Sequence, residues 1–439
     1  MRSVHPPLWL STTEKENIAF SSFPDSLRSD EGSQFHSFRI RDHGSRTELS
    51  ALSAQRPEAL DGFLYGYAHF CQRRDTSSKR GYSQRSIVLL TQLQYPALFT
   101  EIIRRFGLLY DKHGTGILES ALHNIAQWCK PLPGAMCELG FVGDVIHAEL
   151  PRTADDPQLS EAKMQLGAYY DSTSTHITAS IAPPRPPPIL LFQASLTHLW
   201  SIWECLIFCE PVLIFGKSPM ETSQAVWWLR DLLRPIPLAI DFRPYFTMQD
   251  KDHTNFINKL PPRTGLVLGV TNPFFEKSCR HWPHVLSLGR SSNVKVEGKA
   301  TVPPPGWATK IHKRYTSKDR PFLKELEDAC SSNDQELIAS SSVKLRRHFS
   351  SRTIAMLAPL NRYFSTLIPS PAERQSGSER IKPFNNTHFF ASLKKYGSAI
   401  PFRSSRKEKE FYERWLKTPA FGMWLAQQEK TVVGVLKGP

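Results

Sequence analysis

The 439 residues predict an α/β protein in three parts: a mixed sheet with helices, then a mainly parallel sheet covered by helices on both faces, then a helical last third. Three observations carry that expectation. Between Ile189 and Gly289, short apolar runs too brief for helices alternate with helical stretches. Two strand-like arms, Phe63–Phe70 and Ser83–Leu93, flank a turn region at Asp75–Ser78. Beyond Arg320 the apolar residues recur at helical spacing almost to the C-terminus.

In chain order, little pattern precedes residue 20, and a short strand is expected at Phe35–Arg41, ahead of the hairpin. Leu98, Ile102, Phe106 and Leu109 form one amphipathic stripe, and Ile117, Leu118, Ala121, Leu122, Ile125 and Trp128 another, so two helices pack on this sheet. Met136–Leu150 reads as a closing pair of strands. From Pro151 the chain turns polar and ends in Ala182-Pro-Pro-Arg-Pro-Pro-Pro188, which reads as an extended, semi-rigid linker or as an SH3-type ligand. The expected division is 1–150, a linker at 151–188, a central lobe at 189–290, a basic loop at 291–320 and a helical region at 321–439.

The central lobe is the most legible. Pro211-Val-Leu-Ile-Phe215 is a buried strand. Ser218 as N-cap, Pro219 in the first turn and Glu221 as capping-box acid then open a helix whose face is Val226, Leu229 and Leu233, ended by Pro235. Gly216-Lys217-Ser218 invites a phosphate-loop reading, but the required earlier glycine falls on Pro211, so capping is favoured. Helices follow at Phe322–Cys330, Leu337–Leu367, Phe389–Tyr396 and Glu408–Gln428.

The formal charge of +14 and pI near 9.4 favour anionic surroundings, yet no nucleic-acid-reading motif is present. The seven cysteines are odd in number and contain no C-x-x-C pair, so neither a disulfide framework nor a structural zinc site is expected and a reducing cytosol fits best. Cys205 and Cys209, beside Trp200 and Trp203, read as core. Met1–Leu10 lacks a signal-peptide core, and the apolar region Ile189–Phe215 is interrupted by His198, Glu204 and Glu210, which argues for a core helix and strand over a membrane span.

Asp241-Phe-Arg-Pro-Tyr-Phe-Thr247, Leu268-Gly-Val-Thr-Asn-Pro-Phe-Phe275 and His281-Trp-Pro-His-Val-Leu-Ser-Leu-Gly289 resemble the central domain of the DENN family, most closely the DENN domain-containing protein 6 group. The stretches Tyr65–Asp75, Lys79–Leu90, Pro359–Pro369 and Phe411–Leu425 extend the resemblance over most of the chain. It implies a longin-like upstream lobe, a three-layer α/β lobe and a helical downstream region. It also implies a guanine-nucleotide exchange factor for a Rab-family small GTPase, cytoplasmic and peripherally recruited to endosomal or trans-Golgi membranes. The alternative is a DENN-fold adaptor that binds a GTPase or trafficking partner without exchange. The resemblance begins at Glu14–Ser26, where family members already have a strand and turn behind them. Either that first strand is present in unrecognisable form, or the chain is truncated and the next strand is left as an edge.

An exchange factor makes and breaks no bonds. A gain of ~10³ to 10⁵ in nucleotide release needs roughly 4–7 kcal/mol of differential binding, which an ordinary interface can supply. No G-x-S-x-G, H-E-x-x-H, dinucleotide or deaminase pattern is present, and no cofactor or metal is expected. Trp282-Pro283 breaks the helix that would have paired His281 with His284. The candidate docking residues are Asp241, Arg243, Tyr245, Thr271, Asn272, Phe274 and Trp282, on a surface between the two lobes. For each the competing role is internal: Arg243 pairing with Asp241 or Asp250, Asn272 capping the helix opened by Pro273. The basic hairpin tip of Arg73, Arg74, Lys79, Arg80 and Arg85 has two readings, a dock for a GTPase or anionic headgroup and a solvated turn. Lys295, Lys299, Lys310, Lys313, Arg314, Lys318 and Arg320 make the later loop basic.

Overall fold

The computed structural model describes residues 4, 10–25, 31–43, 59–79, 81–159, 176–289, 303–375 and 380–436. Ser26, Arg80, Lys295, Lys299 and residues 160–175 of the expected linker lie outside them.

The first element is one that periodicity did not reveal, a helix at Thr12–Ser21. Ser11 Oγ accepts from the Glu14 N–H at 3.1 Å, while the Glu14 carboxylate accepts from the Ser11 N–H at 2.8 Å. This reciprocal box satisfies two donors at the helix start. β1 (Gly32–Arg41), β2 (Phe63–Arg74) and β3 (Tyr82–Thr91) then form an antiparallel sheet in the order β1-β2-β3. Leu98, Ile102 and Phe106 of helix Pro96–His113 are buried on it. Asp111 at the end of that helix draws in the tip cations Arg85, at 2.5 Å, and Arg73, at 3.7 Å.

β4 (Met136–Phe141) and β5 (Asp144–Glu149) pair as a hairpin but do not close the first sheet. With β6 (His176–Thr178) they make a small sheet of their own. The proline run lies against the body: Pro183, Pro184 and Pro188 are buried, and Trp228 donates its indole N–H to Pro183 O at 3.0 Å. Arginines secure its flanks. Arg230 holds Asp155 at 2.7 Å, Arg234 donates to Ser180 O at 2.6 Å, and Arg346 reaches Asp231 at 2.5 Å. Burial, reinforced by Arg230, pushes the Arg234 guanidinium down to about 9.

The central sheet has the order β11-β10-β7-β9-β8, built from β7 (Val212–Phe215), β8 (Asp241–Arg243), β9 (Leu266–Val270), β10 (His284–Ser287) and β11 (Gly306–Thr309). All pairings are parallel except β10–β11 at one edge. Helix Pro219–Asp231 packs on β7 and β9 and also on β1 of the N-terminal sheet, so most of its circumference is buried, not one face alone. Two glycines permit that approach. A Cβ at Gly216 would lie 2.6 Å from Thr222 Cγ2, and one at Gly269 would lie 2.3 Å from Pro244 O.

The last third is helical as expected: Arg320–Ser331, Gln335–Ser365, Asn386–Tyr396 and then Ser405–Trp415 and Pro419–Leu436. The last pair replaces the single helix expected at Glu408–Gln428. Pro419 has no N–H to donate and disfavours a helical Thr418, so the chain turns there, with the Thr418 N–H on Trp415 O at 2.9 Å. Trp203 donates to Thr353 Oγ1 at 2.9 Å and joins this region to the central lobe. Among the described residues, no helix is long and apolar enough to cross a membrane.

Candidate functional site

The strand-to-helix step after β7 engages its own donors. Gly216 N–H goes to Val270 O at 3.1 Å, Lys217 N–H to the Glu221 carboxylate at 3.1 Å, and Glu221 N–H to Ser218 Oγ at 3.3 Å. Ser218 is the expected N-cap. Glu221 differs from a strict capping box by holding the N–H of Lys217, one residue earlier. Three of the amides that a phosphate would need are therefore already committed, one to β9 and two within the loop.

Of the seven candidate residues, five converge where the N-terminal sheet meets the β8 edge and the C-terminal ends of β8 and β9. β8 ends in Asp241-Phe242-Arg243, and the Arg243 guanidinium, 1% exposed, donates to Asp241 at 2.8 Å and to Asp252 at 2.7 Å, with Asp250 at 4.0 Å. Both internal partners foreseen for it are present, and Asp252 is an additional one. Burial opposes the Arg243 charge, but Asp241, Asp250 and Asp252 outweigh it and hold its pKa above the ordinary value. Asp250 is pushed up by its own burial. Asp252 is held down: burial alone would raise it, and Arg243 and Arg41 prevail.

The network crosses the lobes. Arg39 lies 3.4 Å from Asp241, donates to Phe242 O at 3.2 Å and stacks with its guanidinium carbon 3.4 Å from the Phe63 ring centre. Arg41 donates to Asp252 at 2.8 Å. Sequence reasoning missed both arginines. The available signal was the Phe38-Arg-Ile-Arg41 alternation, which puts two cations on one face of a strand whose other face is apolar.

Tyr245, 1% exposed, receives the Asp25 N–H at its hydroxyl and donates to Phe23 O at 3.3 Å, with the Thr271 side chain beside it. Asn272 accepts the Phe274 N–H at 2.9 Å, the capping role foreseen for it, and lies 3.2 Å from Met248 Sδ. Phe274 itself is 45% exposed. Trp282 stands apart from the others, fully buried in the core beneath β7 and β9. Arg243, Tyr245 and Trp282 therefore have no accessible surface to offer a partner, and Phe274 does.

His281 and His284 are separated as expected, His281 exposed and His284 buried. The His284 ring lies 2.5 Å from the Glu210 carboxylate and 2.9 Å from Thr309 Oγ1. Cys205, Glu210 and His284 have donor atoms within 4.8 Å of one another, a grouping able to hold a metal ion that the sequence spacing did not suggest. Arg414, however, also places its guanidinium on Glu210. A cation already neutralises that carboxylate, so the cluster is accounted for as a buried ion pair with a thiol beside it.

No family model matches the chain. It is 30% identical over 452 residues to protein DENND6A of Mus musculus, an alignment spanning 98% of this chain and 73% of that protein. It is 29% identical over 452 residues to protein DENND6B of Homo sapiens, spanning 96% and 74%. Against the DENND6 homolog of Dictyostelium discoideum the identity is 27% over 498 residues, spanning 96% and 67%.

Proposed function

This chain belongs to the DENND6 group of DENN-domain proteins, and from that membership we propose that it promotes GDP release from a Rab-family small GTPase. The observation that carries the reading is a seam that is rigid inside and aromatic outside. Exchange requires a platform that distorts its partner without yielding itself, because binding to the nucleotide-free GTPase must exceed binding to the loaded one. The Arg39, Arg41 and Arg243 network supplies stiffness. Phe274 and, on the first helix, Phe20 at 47% exposure supply apolar anchors. That helix is tied to the loop following β8, since the Lys251 N–H donates to Asn17 Oδ1 at 3.2 Å and its ammonium meets Glu16 at 2.5 Å.

In this reading Phe274 touches the GTPase, while Asp241, Arg243, Tyr245, Thr271, Asn272 and Trp282 position the loops that present it. A division into two lobes, with residues 151–188 between them, would seat a partner across both. Peripheral recruitment to endosomal or trans-Golgi membranes belongs to the same proposal, and the +14 charge is compatible with an acidic leaflet.

The test is release of fluorescent GDP from a panel of Rabs with excess GTP, comparing the parent chain with Phe274→Ala. Acceleration for one or two Rabs, reduced roughly tenfold or more in the variant at unchanged melting temperature, is the expected result. Binding of nucleotide-free Rabs without release would favour the adaptor, and neither binding nor release would overturn the assignment.

A further inference from the structure

The basic stretch that follows β10 is not absorbed by the seam, which lies at the opposite edge of the central sheet. Beside β11, a pocket of about 490 Å³ is lined by His198, His312, Arg314, Lys318 and Arg403, together with Ser201, Thr309 and Trp307. No carboxylate is among its described lining residues. Arg314, Lys318 and Arg403 enter none of the ion pairs found among the described residues. We propose that this pocket binds a phosphomonoester.

Four features argue for a ligand over an ordinary wet surface. The pocket draws residues from three separate parts of the chain, so the cations converge by folding and not by sequence proximity. Its cations oppose one another: burial and Arg314 lower the Lys318 ammonium, with Glu327 only partly offsetting them, and His198 is lowered by burial and by Lys318. His312, whose side chain is 2% exposed, uses Nε2 on Glu204 at 2.9 Å and has no partner at Nδ1. The indole N–H of Trp307 and Nε of Arg314 are also buried without partners. Buried donors normally find acceptors, and here an oxyanion with several lone pairs would serve.

Glu204, the acid that His312 contacts, is one carboxylate against the three cations Arg314, Lys318 and Arg403. Its carboxylate is taken up by the Tyr315 N–H at 3.0 Å and by the N–H and hydroxyl of Thr316 at 2.7 and 2.6 Å. Asp319 is engaged as the N-cap of helix Arg320–Ser331, accepting the Phe322 N–H at 3.1 Å. Three cations and the Trp307 indole N–H suit a phosphate dianion better than a carboxylate, which offers fewer oxygens.

The full chain would be titrated calorimetrically with inorganic phosphate and with glycerol 3-phosphate, and floated with phosphatidylcholine vesicles with and without a few mole per cent of a monophosphorylated phosphoinositide. The variants are Arg314→Gln with Lys318→Gln, and Lys313→Gln with Lys324→Gln, which removes the same charge from exposed positions outside the pocket. Saturable phosphate binding that falls at least roughly tenfold in the pocket variant and not in the control supports the site. Flotation dependent on the same residues would identify the source as a lipid headgroup, and phosphate binding without flotation a soluble phosphomonoester. The pocket variant, relieved of repulsion, should melt no lower than the parent without phosphate. Equal losses in both variants, or no saturable binding of either kind, would overturn the proposal.

Discussion

Trp227 in helix Pro219–Asp231 donates its indole N–H to Ser37 Oγ on β1 at 2.8 Å, a bond spanning 190 residues and buried at both ends. Ser37→Ala would leave that N–H without an acceptor in the interior. The expected cost is about 1–3 kcal/mol in urea unfolding. A Ser37→Ala, Trp227→Phe double variant should lose less than the sum of the two singles, and strict additivity would contradict the coupling.

Arg243→Glu should fail as a fold and not as an interface. Removing the cation leaves Asp250 without its guanidinium and Asp241 and Asp252 on Arg39 and Arg41 alone, and adds a fourth acid, so the loss should be about 3–5 kcal/mol. Arg243→Lys should also be costly, because one ammonium cannot reproduce the donors shared between Asp241 and Asp252. Circular dichroism and thermal melting check this, and a natively melting Arg243→Glu would refute the structural role.

Acid should destabilise the protein through its histidines. Burial pulls His36, which bonds Ser21 O at 2.8 Å and packs on the Tyr245 ring, from 6.5 down to about 4. Burial, with Arg352, brings His348 to about 4. Below pH 6.5 the unfolded chain takes up protons that the native protein refuses. The stability held above that pH is therefore lost as pH falls from 6.5 toward 4, by up to about 3 kcal/mol for each group. His36→Gln keeps a donor for Ser21 O and should flatten part of this slope in pH-dependent unfolding. An unchanged slope would remove His36 from the account.

Gly269→Ala should destabilise by about 1–3 kcal/mol or more, since its Cβ would meet Pro244 O at 2.3 Å and neither backbone can easily retreat. Gly140→Ala on β4, with nothing within 4 Å of the added carbon, is the control and should stay within about 0.5 kcal/mol in the same melts.

What the sequence disclosed was local chemistry. The Ser218 cap, the β2–β3 hairpin and the stripe Leu98, Ile102 and Phe106 are each written within about thirty contiguous residues, and each is where it was expected. The break at Pro419 was equally local and was overlooked because apolar spacing continues through it. The Ser11-Thr-Thr-Glu14 box was masked by a helix with little apolar periodicity. The seam was half legible. Arg243 pairs with Asp241 two residues away, but Arg39 and Arg41 meet Asp241 and Asp252 only after the lobes pack, more than 199 residues along the chain. The pocket cations were visible as a basic stretch, whereas their convergence with His198 and Arg403 depends entirely on tertiary structure.

Helix Pro219–Asp231 has one further consequence, for how the molecule comes apart. Because β1 and β9 use the same helix as their cover, neither sheet can lose it without exposing the other, and no inert surface remains for either half to retain. Heat or denaturant should therefore remove both sheets in a single cooperative transition, with amides of β1 and β9 exchanging at matched rates. A fragment cut between β6 and helix Pro219–Asp231 would inherit an uncovered sheet face and a tendency to self-associate.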